Sequence, residues 1–389
     1  MSKVSLQAAE GERLVKQGKP EEALREFERA LAHDAQDATA LMGLARLRLS
    51  RGQNDAGRAL LLRLLKLEPQ HAEALSHLHR LDAQAGDDKS LEALREVSLK
   101  KEAGAFEFLG LGQALLARGR FDDAAAAFER ALRLQPDDAT VLTFLGMARQ
   151  GQGKAEQALL NFQRAIQASP AEHQAPLLAA RLLVHQGKAD RALPLLKQAV
   201  ERVTDKAELY PEYIKLLLML GDLQGATRQS ATFRKASPQN AEAAYLHGLT
   251  NLMAGHTQEA ERLFQASLTL APQGIESRLA LADIRRAEGD ETGALKWLEE
   301  AWKLDPQAPG PANELAVLFM TKLGDNAQAV QLLSLALGAH PNEPTLHLNM
   351  ATALAGSDVA KAREHALRAK SLGSKLVRER AEQLRARLS

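Results

Sequence analysis

The chain has 389 residues, enough for several globular domains or one extended repeat array. Its formal net charge is +1 and 45% of its residues are apolar. That balance excludes a global field drawing it to nucleic acid or a membrane, and it excludes a disordered chain. With no cysteine, disulfides, thiolate metal sites and cysteine nucleophiles are excluded together.

Met1-Ser2-Lys3-Val4 runs directly into a polar helix carrying Glu10, Glu12 and Arg13. The start therefore reads as lacking a signal-peptide core, and no later segment approaches the apolar length of a membrane span. A cytoplasmic location is the expectation. Helices are predicted at 6–17 and 20–32, separated by Gly18. The same punctuation then recurs at Gly52, Gly86, Gly119, Gly153, Gly187, Gly221, Gly255 and Gly289, at steps of 34 residues with one of 33. Gly324 follows one residue late, and Gly356 follows early. A glycine here ends a helix in the left-handed conformation. Five residues on stands an alanine in most units: Ala23, Ala124, Ala158, Ala192, Ala226, Ala260, Ala294 and Ala329. It marks a close helix crossing. Pro69, Pro136, Pro170, Pro238, Pro272, Pro306 and Pro341 then stop the second helix. Between these marks the apolar residues keep a helical spacing, as in Ala124, Phe128, Ala131 and Leu134. One such hairpin cannot bury its apolar stripe alone; stacked hairpins can.

The segment 72–104 is irregular. It has His79 where a small residue belongs, and a second helix predicted at 91–101 after the turn Asp87-Asp88-Lys89. Asp137 and Asp305 stand at inter-repeat turns where they are expected to cap the following helices. The last unit, from Glu343, is shortened at Gly356-Ser357-Asp358 and precedes a charged helix predicted at 375–388, which reads as a cap for the array.

The unit resembles the tetratricopeptide repeat. The copy starting at Ala105 carries Phe108, Leu111, Gly112, Leu115, Ala124, Phe128, Ala131 and Pro136 at the family's characteristic positions. The next carries Leu142, Leu145, Gly146, Arg149, Ala158, Phe162, Ala165 and Pro170. The aromatic residue that the family favours at the eleventh position is absent throughout. The resemblance implies an all-α, right-handed superhelical solenoid of about eleven hairpins, spanning 1–389 as a single domain. It also implies that first helices line a concave groove.

In that register the ninth positions are Glu12, Arg46, Arg80, Gln113, Met147, Arg181, Lys215, Leu249, Asp283 and Val317. Two basic stretches flank an apolar one, with Phe106, Leu109, Tyr245 and Met253 nearby. Arg46, Arg80, Arg181 and Lys215 are expected to stand as basic rungs with no internal pair to break. Met147, Leu249 and the neighbouring apolar residues are the expected anchors. The partner implied is a protein or peptide with apolar anchors and acidic flanks. No Lys and Asn four apart occupy the first groove helix, where Ala8 and Glu12 stand instead, so a terminal-carboxylate clamp of the chaperone-adaptor type is not expected.

No acid, base, nucleophile or metal constellation emerges, and His77 and His79 face differently on their helix. No cofactor, nucleic acid or direct membrane insertion is implied. The functional expectation is a non-catalytic scaffold or adaptor in a bacterial multiprotein assembly. A peptide-sensing regulator or a non-catalytic subunit of an enzyme complex are the alternatives.

Overall fold

The computed structural model describes residues 6–100, 103–203 and 206–388, and every regular element among them is helical. The chain falls into two compact units, residues 1–205 and 206–389. In the first, six hairpins follow one another: α1 (Leu6–Lys16) and α2 (Pro20–His33), α3 (Ala38–Ser50) and α4 (Asn54–Leu67), α5 (Ala72–Gln84) and α6 (Asp88–Ser98), α7 (Ala105–Ala117) and α8 (Phe121–Leu134), α9 (Ala139–Gly151) and α10 (Ala155–Ala168), α11 (Gln174–His185) and α12 (Ala189–Arg202). In the second there are five hairpins: α13 (Leu209–Met219) and α14 (Leu223–Ala236), α15 (Ala241–Met253) and α16 (Thr257–Leu270), α17 (Ile275–Ala287) and α18 (Glu291–Leu304), α19 (Pro309–Leu318) and α20 (Asn326–Ala339), α21 (Pro344–Leu354) and α22 (Val359–Leu372). Helix α23 (Lys375–Leu388) follows.

The glycine beat is a conformational necessity at ten places. Gly18 and its counterparts through Gly324 all have φ between 67° and 106°, a region closed to most side chains. Gly356 departs from this expectation and is not left-handed. There the hairpin closes through an ordinary turn, in which the N–H groups of Ser357 and Asp358 both donate to the Leu354 carbonyl at 3.1 and 2.9 Å. The late arrival of Gly324 also has a structural cause. A π-helical turn over Phe319–Leu323 takes up one extra residue before the helix ends.

The crossing alanines Ala23, Ala124, Ala158, Ala192, Ala226, Ala260 and Ala329 have no exposed surface, and Ala294 has 1%. A second rule of packing joins each first helix to its own second helix, sixteen residues on. Where the first helix offers glycine, a fully buried phenylalanine fills the space: Gly11 with Phe27, Gly112 with Phe128, Gly146 with Phe162, Gly248 with Phe264. Where it offers alanine, leucine stands opposite in register, as in Ala45 and Leu61, Ala180 and Leu196, Ala282 and Leu298, all buried. Ile214 faces Ser230 in register. The pair conserves volume while its members change, which is what a close-packed core requires.

The segment 72–104 breaks this rule, because the two register positions hold His79 and Arg95. Leu91 also replaces the crossing alanine and is buried. A cavity of about 410 Å³ opens beside His79, bounded by Leu75, Val97 and Glu107. The apolar core of the first unit divides within α5: Ala74 and Leu81 belong to the cluster of α1–α4, while Ala83 belongs to that of α6–α9. Helix α6 has 11 residues, against 14 in α4 and α8. It starts earlier than the predicted Leu91, because the Asp87 carboxylate accepts from Ser90 N–H at 2.8 Å and caps it. It ends at Ser98, and the predicted limit at Lys101 lies outside the described residues. Capping corrects another expectation too. Asp138, not Asp137, caps α9, and Asp305 closes a turn by accepting from Gln307 N–H, while Ala308 precedes α19. Helix α23 lies against α21 and α22 and buries Ala381, with Lys370 paired to Glu382 at 2.9 Å.

Candidate functional site

Within each unit, first helices lie against one another. Helix α1 touches α3, α5 touches α7 and α7 touches α9; in the second unit α13 touches α15, and the row continues through α17 and α19 to α21. Within each unit, a second helix meets the next hairpin through that hairpin's first helix, as α8 meets α9 and α14 meets α15. The first helices are thus an inner row, and the second helices stand outside it.

The inner-row cations do not stand unpaired as expected. Arg46 on α3 forms ion pairs with Glu12 on α1 and with Glu73 on α5, the latter at 3.7 Å. In the second unit Lys215 on α13 pairs with Glu242 on α15 at 3.1 Å. The cause is a register effect: the ninth position of one first helix faces the second position of the next, and a glutamate stands at that second position in both cases. Arg181 is exposed on α11. Arg80 on α5 is half-buried, and its guanidinium stands 3.5 Å from His77 Nδ1. Burial pushes its guanidinium below the usual arginine range.

The apolar candidates also divide. Phe106 is 38% exposed at the start of α7, and Met253 is 54% exposed at the end of α15. Leu109 and Met147 are half-buried, with Leu109 packed on the core of α6–α9. Tyr245 and Leu249 belong largely to the core of α15–α17; the Tyr245 ring lies 5.8 Å from that of Phe264. Burial, then the charges of Glu276 and Glu242, push the Tyr245 hydroxyl pKa up. These two residues show the inner face an edge rather than a free anchor.

Sequence reasoning missed what replaces the eleventh-position aromatic. Arg48 reaches Glu28 of the preceding hairpin at 2.8 Å, Arg149 pairs with Glu129, and Arg285 pairs with Glu261. A charged pair between hairpins takes the place of a ring. The repeated spacing of Glu28 to Arg48 and Glu129 to Arg149, twenty residues each time, was the available signal. Beside Arg149 a cleft of about 630 Å³ opens between α8, α9 and α10, lined by Leu132, Leu160, Arg133 and Arg164.

Among the described residues, no three His, Asp or Glu side chains are gathered to hold a metal ion, and no helix is long and apolar enough to cross a membrane. His77 and His79 stand apart in role: His77 is buried with its ring edge-on to Phe106 at 5.0 Å, and His79 borders the cavity at the irregular hairpin.

Helical hairpins in sequence, packed one on the next within each unit with their first helices inward, define an α-solenoid repeat protein. The chain belongs to the tetratricopeptide repeat family. Two family models, both described as tetratricopeptide repeat, match it, one over residues 14–81 and 150–210 and the other over 109–173, 214–275 and 254–309. The stretch between 81 and 109 contains α6 and the division of the core. Yeast Tom70 is similar in structure, with 14% identity, a TM-score of 0.57, and coverage of 98% of this chain and 95% of that one. The C-terminal part of a tetratricopeptide repeat-containing protein from Cytophaga hutchinsonii is similar at 13% identity and a TM-score of 0.50, over 61% of this chain and 97% of that one. At such identities the likeness is one of fold. No curated protein matches the chain.

Proposed function

We propose that this chain is a non-catalytic scaffold or adaptor that holds a partner protein or peptide on its inner row of first helices, as part of a bacterial multiprotein assembly. The observation that carries the reading is the inner row itself. That of the first unit presents exposed Phe106 and that of the second presents exposed Met253, each among charged residues, where nothing in the core requires an exposed aromatic or thioether side chain. An extended or helical segment with apolar anchors and acidic flanks suits that surface. The alanine-, leucine- and arginine-rich composition fits a bacterial source.

The test is site-specific photocrosslinking in the source cell. A photoreactive amino acid replaces Phe106 or Met253 on the inner row, or Leu134 or Leu160 on the outer helices; the latter two are also exposed, at 53% and 58%. Discrete adducts with the same partner from the inner positions, absent from the outer ones, support the proposal. Adducts only from Leu134 and Leu160 move the function to the outer cleft and overturn it.

A further inference from the structure

Two inner-row ion pairs share one register, and Arg80 departs from it. Arg46 is neutralised by Glu73, and Lys215 by Glu242, each glutamate standing at the second position of the next repeat. For Arg80 the corresponding position is held by Phe106. The charges along α1, α3 and α5 run Glu12, Arg46, Glu73 and then Arg80, so the last cation lacks the carboxylate that would complete the row.

Among the described residues no nearby acid is available to supply it. Glu73 is shared between Arg46 and His77, the latter at 3.8 Å. Asp82 is paired with Arg58. Glu107 is turned back on its own helix end, accepting from Gly104 N–H at 2.8 Å. Among the described residues no carboxylate lies within ion-pair distance of Arg80, and 3.5 Å to His77 Nδ1 is too long for a good hydrogen bond. A half-buried guanidinium left in this state has lost part of its hydration without a counter-charge. Beside it the buried His77 ring holds Phe106 edge-on at 5.0 Å, which fixes the phenyl ring while leaving 38% of the residue exposed.

We infer that Arg80 and Phe106 form a recognition subsite for an acidic side chain flanked by an apolar one within a partner segment. The inference rests on the inner-row reading proposed above and narrows it to one place and one chemistry. The arginine fork takes the Asp or Glu carboxylate with two parallel hydrogen bonds, and the exposed phenyl edge takes the neighbouring apolar side chain. Partial burial keeps the ion pair less screened than one on an open surface.

The test starts from a random peptide library displayed on phage as N-terminal fusions, which have no free C-terminus, selected on the full chain. Enriched peptides should carry Asp or Glu next to Phe, Leu, Ile, Met or Trp. One is resynthesised with an amidated C-terminus and measured by fluorescence anisotropy. Arg80→Gln should weaken its binding at least tenfold, and changing the peptide's acid to its amide should cost as much. Combining the two should add little further. The peptide arm leaves the protein untouched, so a folding defect cannot imitate the result. Phe106→Glu, which supplies the missing internal carboxylate, should abolish binding with the helical spectrum intact. Arg133→Gln, on the outer cleft, should change nothing. Enriched peptides that bind Arg80→Gln as well as the natural chain overturn the subsite while leaving the inner-row reading standing. Absence of any enrichment above background overturns both.

Discussion

Gly146→Ala tests the volume rule that joins the two helices of each hairpin. An added Cβ would lie 2.7 Å from Cδ1 of Phe162 and closer still to Cε1. Ordinary carbon contacts are about 3.5–4.0 Å, so the ring must retreat by nearly 1 Å. Phe162 is fully buried and has no free side to move into. Overpacking of this kind costs roughly 1–3 kcal/mol, offset by about 1 kcal/mol gained when alanine replaces glycine inside a helix. Because the fully buried ring cannot move aside, the overpacking cost falls in the upper part of its range, about 2–3 kcal/mol, so the net loss should be about 1–2 kcal/mol, or a factor of roughly 5–30 in the local opening equilibrium. Repeat arrays do not unfold as one unit, so the assay is hydrogen exchange followed in peptides from α9 and α10. Phe162→Leu alone should cost about 1–2 kcal/mol through lost volume. The double variant recreates the Ala–Leu combination that this chain already uses at Ala45 and Leu61 and at Ala180 and Leu196. It should therefore be more stable than the two losses predict, by at least about 1 kcal/mol. Unchanged exchange in Gly146→Ala, or strict additivity in the double variant, would refute the reasoning.

Three further outcomes are expected. Ala158→Leu places a large side chain at a crossing with no exposed surface, and should cost roughly 1–3 kcal/mol; exchange should quicken in α9 and α10 and stay unchanged in α15–α18, whereas equal loosening everywhere would contradict modular stacking. Arg149→Ala and Glu129→Ala should each destabilise the junction of α8 with α9, and a double-mutant cycle should show a favourable coupling of about 0.5 kcal/mol or more, since the arginine side chain is only 19% exposed; zero coupling would reduce the pair to surface decoration. Burial, then the neighbouring His347, lowers the His365 pKa below 6.5. The unfolded chain therefore takes up the proton first as pH falls, so the contribution to stability is complete above pH 6.5 and is lost as pH drops toward the folded value. A nuclear magnetic resonance titration placing the His365 pKa above 6.5 would reverse that sign.

Gly, Ala and Pro sharing one period made the hairpin architecture legible, because each residue type answers a separate backbone or packing demand. The register also located the inner-row residues, but not their condition. The glutamates that neutralise Arg46 and Lys215 lie 27 residues further on, and only the packing of neighbouring first helices brings them within reach. Tyr245 and Leu249 looked like anchors because their positions face inward, yet the neighbouring Phe264 core claims most of their surface. Arg149 stood out as a departure at the eleventh position. Its meaning lay in Glu129 on the preceding hairpin, twenty residues back. The late Gly324 was visible as a slipped beat, but a π-helical turn is invisible without the backbone. The irregular hairpin was recognisable from His79, while the division of the core within α5 required seeing that Arg95 sits opposite in register.

The central claim, that partners are held by the inner row, is tested most directly by hydrogen exchange of the full chain with and without a saturating selected peptide. Binding on the inner row should protect amides of first helices around the subsite, α3, α5 and α7, while α4 and α8 exchange as before. Protection confined to α8 and α10, around the cleft lined by Leu132, Leu160 and Arg164, would contradict the account and assign binding to the outer helices.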